Sequence, residues 1–212
     1  MYLPSHFEEK RPQVLRELIR SHPLGLLITQ SRSGELTANS LPFVFDPDDQ
    51  GGVGVLRAHV ARANPLWHET RSEVPVLVVF QGPQAYISPS FYPSKAQHGK
   101  VVPTWNYIMV QARGTIRAVD EAPWLHDFVS RLTDRHEAGR AAPWAVSDAP
   151  ADYIATMVQA IVGIEVRLSA VTGKWKVSQN RSAADRAGVA TGLGDRANDF
   201  AGCSAEMPTS AP

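Results

Sequence analysis

Three short stretches combine residue types that bind or transform small molecules. The first is Leu56-Arg57-Ala58-His59-Val60-Ala61-Arg62-Ala63-Asn64-Pro65. Asn64 suits a helix cap and Pro65 a first helical residue, so the free amides of that turn form an anion site. Arg62 adds a guanidinium fork that matches phosphate oxygens in pairs. His59 follows Arg57 by two positions and shares its face if the strand continues that far. The bland reading of the same segment is a cap with two surface cations.

The second stretch runs from Ala85-Tyr86-Ile87-Ser88-Pro89-Ser90-Phe91-Tyr92-Pro93-Ser94-Lys95 to Val102-Pro103-Thr104-Trp105-Asn106-Tyr107. Aromatics alternate there with hydroxyl, amide and cationic side chains. That mixture clamps a flat ring and bonds its polar edge; alternatively it is a Pro-rich loop packed by its own aromatics. The third stretch is Gly173-Lys174-Trp175-Lys176-Val177-Ser178-Gln179-Asn180-Arg181. As a strand it puts Lys174, Lys176 and Ser178 on one face and Trp175 and Val177 on the other. The basic face suits an anionic ligand tail, or is simply the wet side of a strand.

Other chemistries find no support. Ser88 and Ser90 lack a G-x-S-x-G elbow. His126 and His136 are not at metal-ligand spacing. Cys203 is the single cysteine, which excludes an internal disulfide and a multi-Cys zinc site. Lys+Arg and Asp+Glu are equal at 21 each, so no basic excess drives duplex or anionic-lipid binding. No basic recognition helix is legible, which makes direct DNA binding doubtful. No run reaches the roughly 18–20 apolar residues of a membrane helix. The opening Met1-Tyr2-Leu3-Pro4-Ser5-His6-Phe7-Glu8-Glu9 is acidic and is no signal peptide, so the cytoplasm is the expected compartment.

The elements that must carry these stretches read as follows. Pro4 to Ser21 is a short helix with Val14, Leu15, Leu18 and Ile19 on one stripe, ended by Pro23. Strands are expected over Leu24–Thr29, Glu35–Phe45, Val53–Ala58, Val74–Phe80, Ala85–Ser88 and Val102–Val119. Two helices follow, around Trp124–Leu132 and Tyr153–Ile161, with Asp120 and Asp148 as caps and Pro123 and Pro150 in the first turns. A long strand, Gly163 to Ser178, comes next. Residues 1–192 are expected to form one domain, and 193–212 a loose tail. Antiparallel strands with short turns and a few helices predict a mostly-β fold, a small barrel with flanking helices. No G-x-G-x-x-G opens a helix, and a doubly wound sheet fits badly.

Taken together, five segments resemble the PaiB family of the FMN-binding split-barrel superfamily. They are Tyr2-Leu3-Pro4-Ser5-His6-Phe7, His59 to Trp67, Tyr86-Ile87-Ser88-Pro89-Ser90, Val102 to Tyr107, and Gly173 to Arg181. The resemblance implies a six-stranded antiparallel split barrel, a homodimer, FMN in a cleft between subunits, and a role as negative transcriptional regulator. On that basis the FMN phosphate is expected at Arg62, at the amides after Asn64 and at Lys174, with Lys95 also in the cofactor set. Ring and ribityl contacts are expected from Ser40, Ser88, Trp105, Asn106 and Gln179. The cations Arg57, Arg62, Lys95, Lys174 and Lys176 are expected to gather at one cleft. The chain also resembles piperazate synthases, which use haem b to form an N–N bond. That alternative makes His59 the axial ligand, with its other ring nitrogen held by an acceptor. Two positions depart from the family pattern: Ser40 and Gln111 stand where relatives carry His.

Overall fold

The computed structural model describes residues 1–48, 51–71 and 74–203. After a 3-10 turn (Ser5–Phe7) come strand β1 (Glu8–Glu9) and helix α1 (Pro12–Ser21). The helix starts later than expected because Pro12 occupies its first turn, and its buried residues are Val14, Leu15, Leu18 and Ile19. Then follow β2 (Leu24–Gln30), β3 (Leu36–Pro42), β4 (Val44–Asp46), β5 (Val55–Ala61), the short α2 (Leu66–Glu69) and β6 (Val76–Ile87). The remaining elements are α3 (Ser94–His98), β7 (Thr104–Val119), α4 (Ala122–Glu137), α5 (Ala151–Gln159), β8 (Ile161–Lys176), α6 (Ala183–Leu193) and α7 (Arg196–Gly202).

The eight strands among the described residues join one antiparallel sheet in the order β3-β2-β6-β7-β8-β5-β4, with β1 added on β8. The count exceeds the expected six. Part of the surplus comes from Phe43, a fully buried residue that splits the expected Glu35–Phe45 strand into β3 and β4, and from the two-residue β1. The two strands expected at Val74–Phe80 and Ala85–Ser88 are instead one continuous β6.

The chain divides into two compact units, and each strand from β6 to β8 contributes residues to both. The first unit holds Met1–His22, Phe80–Gln111 and the chain from Thr172. Its core gathers Phe7, the α1 stripe, Phe80, Ile87, Ile108 and Trp175. The second holds Pro23–Val79 and Ala112–Val171, with Leu27, Phe43, Leu56, Val78, Leu125, Phe128 and Ile164 inside. There β2 lies between β3 and β6 in fixed register: Leu26 faces Ser40 and Val79, and Ile28 faces Ala38 and Leu77. The pleat therefore buries Leu27 and Thr29 and turns Leu24 and Leu26 outward, where Leu36 of β3 joins them.

Two expected caps have other tasks. Glu121, not Asp120, precedes α4, and Asp120 is an ion-pair partner instead. Asp148 accepts the Ala145 amide at 2.9 Å and closes a 3-10 turn, while Pro150 stands before α5. The region from 193 differs most from expectation. It carries α7, buries Phe200, and ends its described part with the Cys203 carbonyl accepting from Trp175 Nε1 at 3.2 Å. A pattern with few apolar residues concealed this, because one phenylalanine on a short helix is a weak signal. Residues 204–212 lie outside the described residues.

Candidate functional site

In the first unit, strand alternation sorts the second and third stretches onto two faces. Trp105 and Tyr107 of β7 project to one side and Asn106 to the other. On the Trp105 side lie the two lysines of β8. Lys176 Nζ donates to Thr104 Oγ1 at 2.6 Å and to the Trp105 carbonyl. Lys174 is only 7% exposed; its Nζ donates to the Tyr2 carbonyl at 3.0 Å and lies 5.6 and 5.4 Å from the ring centres of Tyr2 and Tyr107. Neither lysine forms an ion pair among the described residues. Burial pushes the Lys176 ammonium below the usual lysine range, and the positive charges of Lys174 and Arg181 push it further the same way. Beside them, Trp105 and Tyr86 form an edge-to-face pair at 5.9 Å while each stays about half exposed (53% and 49%). An uncompensated positive face next to exposed aromatics can hold an anion and a flat ring together.

Of three other expected residues of this unit, Ser88 and Gln179 serve the backbone and Lys95 meets a hydroxyl. Ser88 accepts the Ser90 amide at 3.2 Å, and Lys95, exposed, reaches Ser90 Oγ at 3.5 Å. Gln179 closes its own turn, accepting from Val177 N at 2.8 Å and donating to the Trp175 carbonyl. Asn106 faces the opposite side of the sheet from Trp105. Its amide is 3% exposed and pairs twice with Ser178 Oγ, at 3.0 and 3.2 Å. Ser178 holds a left-handed backbone (φ 68°), costly for a residue with a Cβ, which the buried pair stabilises. The Oε1 of Gln111 is buried without a hydrogen-bond partner among the described residues.

The second unit builds a groove of about 560 Å³ from β2, β3 and the segment before α2. Its polar lining is neutral except for Glu69: Thr29 and Thr37 share a hydroxyl bond at 2.9 Å, and Asn64 Nδ2 donates to Asn39 Oδ1 at 3.0 Å. Asn64 also caps α2, accepting the Leu66 amide at 3.0 Å, so this amide is not free for an anion. Thr29, Thr37 and Asn39 were not read from the sequence, because only the β2–β3 register brings them opposite Asn64. Ser40 is exposed on the outward side of β3.

Arg62 and Arg57 are both engaged by acceptors of the protein itself. Arg62 commits four of its five donors, to both Asp120 oxygens (2.7 and 2.5 Å) and to the Gln159 and Ile161 carbonyls (2.7 and 3.1 Å). Arg57 pairs with Asp46 and, at 2.8 Å, with Glu165. Glu165 also receives Arg117, and Asp46 receives Arg131. His59 packs edge-on against Phe128 at 5.8 Å, with Phe128 stacked on Trp124. Burial pushes its imidazole down in pKa, and its Nδ1 is buried with no hydrogen-bond partner among the described residues. The acceptor expected behind an axial histidine is therefore missing among the described residues. The five cations are thus divided: Arg57 and Arg62 are neutralised in the second unit, while Lys95, Lys174 and Lys176 belong to the first.

Solved structures share this architecture. The FAD and haem binding protein from Mycobacterium smegmatis matches with TM-score 0.57 at 16% identity, covering 85% of this chain and 78% of that one. The flavocytochrome Anf3 from Azotobacter vinelandii matches with TM-score 0.54 at 11% identity, covering 85% and 75%. These likenesses place the fold in the split-barrel class. By sequence, the chain belongs to the family described as "Putative FMN-binding domain", which matches residues 1–170. It is 28% identical to the protease synthase and sporulation protein PAI 2 of Bacillus subtilis, over 98% of this chain and 96% of that protein. Uncharacterized protein AN0679 of Emericella nidulans is 35% identical, again over 98% and 96%. The PaiB resemblance read from the five segments is thereby borne out.

Proposed function

We propose that this chain binds FMN on the basic, aromatic face of its first unit. The carrying observation is the pair Lys174 and Lys176, which have no carboxylate partner among the described residues and lie beside the half-exposed Trp105 and Tyr86. The lysines would hold the phosphate, and Trp105 with Tyr86 would pack the ring. Bound flavin would supply electron transfer, which none of these side chains can perform. The groove around Asn64 offers hydroxyl and amide partners but no cation, so the phosphate is not assigned there. A homodimer is part of this proposal: Leu24, Leu26 and Leu36 leave one side of the β3-β2 ladder apolar and exposed.

Haem is the weaker reading. An axial histidine donates its second N–H to an acceptor, and His59 Nδ1 has none among the described residues. A regulatory role, as the PaiB resemblance implies, would rest on ligand state or a protein partner rather than on duplex DNA, given the zero net charge. The test is a titration of FMN with purified protein, following flavin fluorescence and the visible spectrum. Saturable quenching with Kd of about tens of micromolar or tighter is expected. A flat titration, or a Soret band in the protein as purified that His59→Ala abolishes, would overturn the flavin assignment.

A further inference from the structure

Behind the sheet of the first unit, on the side away from Trp105, lies a second pocket, half open to solvent. It measures about 210 Å³ and is walled by Val177, Val189, Leu193 and Phe200, with Asn106 and Arg186 supplying its polar groups. Most of the wall comes from α6 and α7, beyond the residues that the family match covers. The space exceeds the roughly 150 Å³ that admits benzene and falls below the roughly 300 Å³ at which drug-sized pockets begin. It therefore suits a single ring with one substituent.

The two polar groups keep unused capacity. The Asn106 amide has two N–H donors and two acceptor lone pairs, and Ser178 takes one of each. Arg186 donates Nη1 to the Arg181 carbonyl at 3.1 Å and forms no ion pair among the described residues. An apolar wall carrying a buried amide and an unneutralised guanidinium fits an apolar body with a carboxylate head. We propose that this cavity is a ligand site for a small aromatic monocarboxylic acid, separate from the cofactor face. The ring lies against Val189, Leu193 and Phe200, and the carboxylate meets Arg186.

The experiment uses the full chain and 4-fluorobenzoate, read by fluorine NMR. Saturable broadening with Kd between about 10 µM and 1 mM is expected, and saturating FMN leaves it unchanged. Arg186→Met, which removes a partly buried cation with no ion-pair partner among the described residues and so keeps the fold, weakens binding at least about tenfold. The uncharged 4-fluorobenzyl alcohol binds wild type and Arg186→Met equally. Ala190→Phe, which fills the space, abolishes binding while circular dichroism stays native. Three results would overturn the proposal: no saturation by about 10 mM, equal 4-fluorobenzoate affinity in Arg186→Met, or displacement of 4-fluorobenzoate by FMN.

Discussion

Lys176→Met tests the phosphate assignment most directly. The ammonium is held in place by Thr104 Oγ1 at 2.6 Å and the Trp105 carbonyl, so it is oriented before a ligand arrives. A hydrogen bond to a charged group contributes about 1.5–3 kcal/mol, and a partly solvated one falls at the lower end, about 1.5 kcal/mol. Loss of Lys176 should therefore weaken FMN binding roughly tenfold. Riboflavin, which lacks the phosphate, should bind both proteins alike. Parallel fluorescence titrations with the two flavins measure this difference. pH supplies a second axis. Burial first, then Lys174 and Arg181, hold the Lys176 ammonium below the usual lysine range. The cation is thus lost earlier than usual as pH rises, and FMN affinity should fall through that lowered pKa while riboflavin affinity stays flat. Phosphate binding favours the charged form, so FMN should be bound with proton uptake in that alkaline window. Equal losses for FMN and riboflavin in Lys176→Met, or no loss for either, would refute the reasoning.

Three further outcomes are expected. Glu165→Gln leaves Arg57 and Arg117 facing a neutral amide in a site where the carboxylate is 9% exposed, and should destabilise the fold by about 2–4 kcal/mol, lowering Tm by roughly 5–10 °C. Burial alone would raise the Glu165 pKa, but the hydrogen bonds and charges of Arg57 and Arg117 outweigh it and hold it low. Its stabilisation is thus present above the ordinary carboxylate range and lost as pH falls through the lowered pKa, and a urea series should show that acid limb reduced in Glu165→Gln. Gly163→Val should cost about 1–3 kcal/mol, because a Cβ there would run into the Trp124 ring at Cζ3; near-UV dichroism should report Trp124 displaced from Phe128. Leu26→Arg should convert a dimer to a folded monomer in light-scattering chromatography, and a wild-type protein already monomeric at about 50 µM would remove the outward β2 face as an interface.

Local patterns carried the fold well and the site only in part. The helix stripe of α1 was legible because four apolar residues at helical spacing need no tertiary information. Strands β2, β5 and β8 were legible because β-branched and leucine-rich runs ended at turn residues. Alternation gives the shared face of Lys174 and Lys176, but not that of Ser178, which lies past the end of β8, turns left-handed (φ 68°) and pairs with Asn106 on the side away from Trp105. Long-range pairing was out of reach. Asp120 lies 58 residues from Arg62 and Glu165 lies 108 from Arg57, and no local pattern reveals that these acids consume the two arginines. The Asn39–Asn64 bond and the Thr29–Thr37 bond depend on register in the same way.

The equality of 21 cations and 21 acids conceals an uneven distribution of partners. In the second unit, Arg57, Arg62, Arg117 and Arg131 all meet carboxylates, and Asp46 and Glu165 each serve two of them. Those charges hold β4, β5, β7, β8 and α4 together and have little left for a ligand. In the first unit, Lys174 and Lys176 sit on one side of the sheet, and Arg186 lines the cavity on the other, with no acid paired to any of them among the described residues. A buried or half-buried cation without a counter-charge is expensive, and an anionic ligand relieves that cost. The anion-binding capacity of a neutral chain therefore belongs to the cations that its acids leave unpaired. By that criterion Arg57 and Arg62 of the Leu56–Pro65 stretch drop out, and the lysines that follow Gly173 remain.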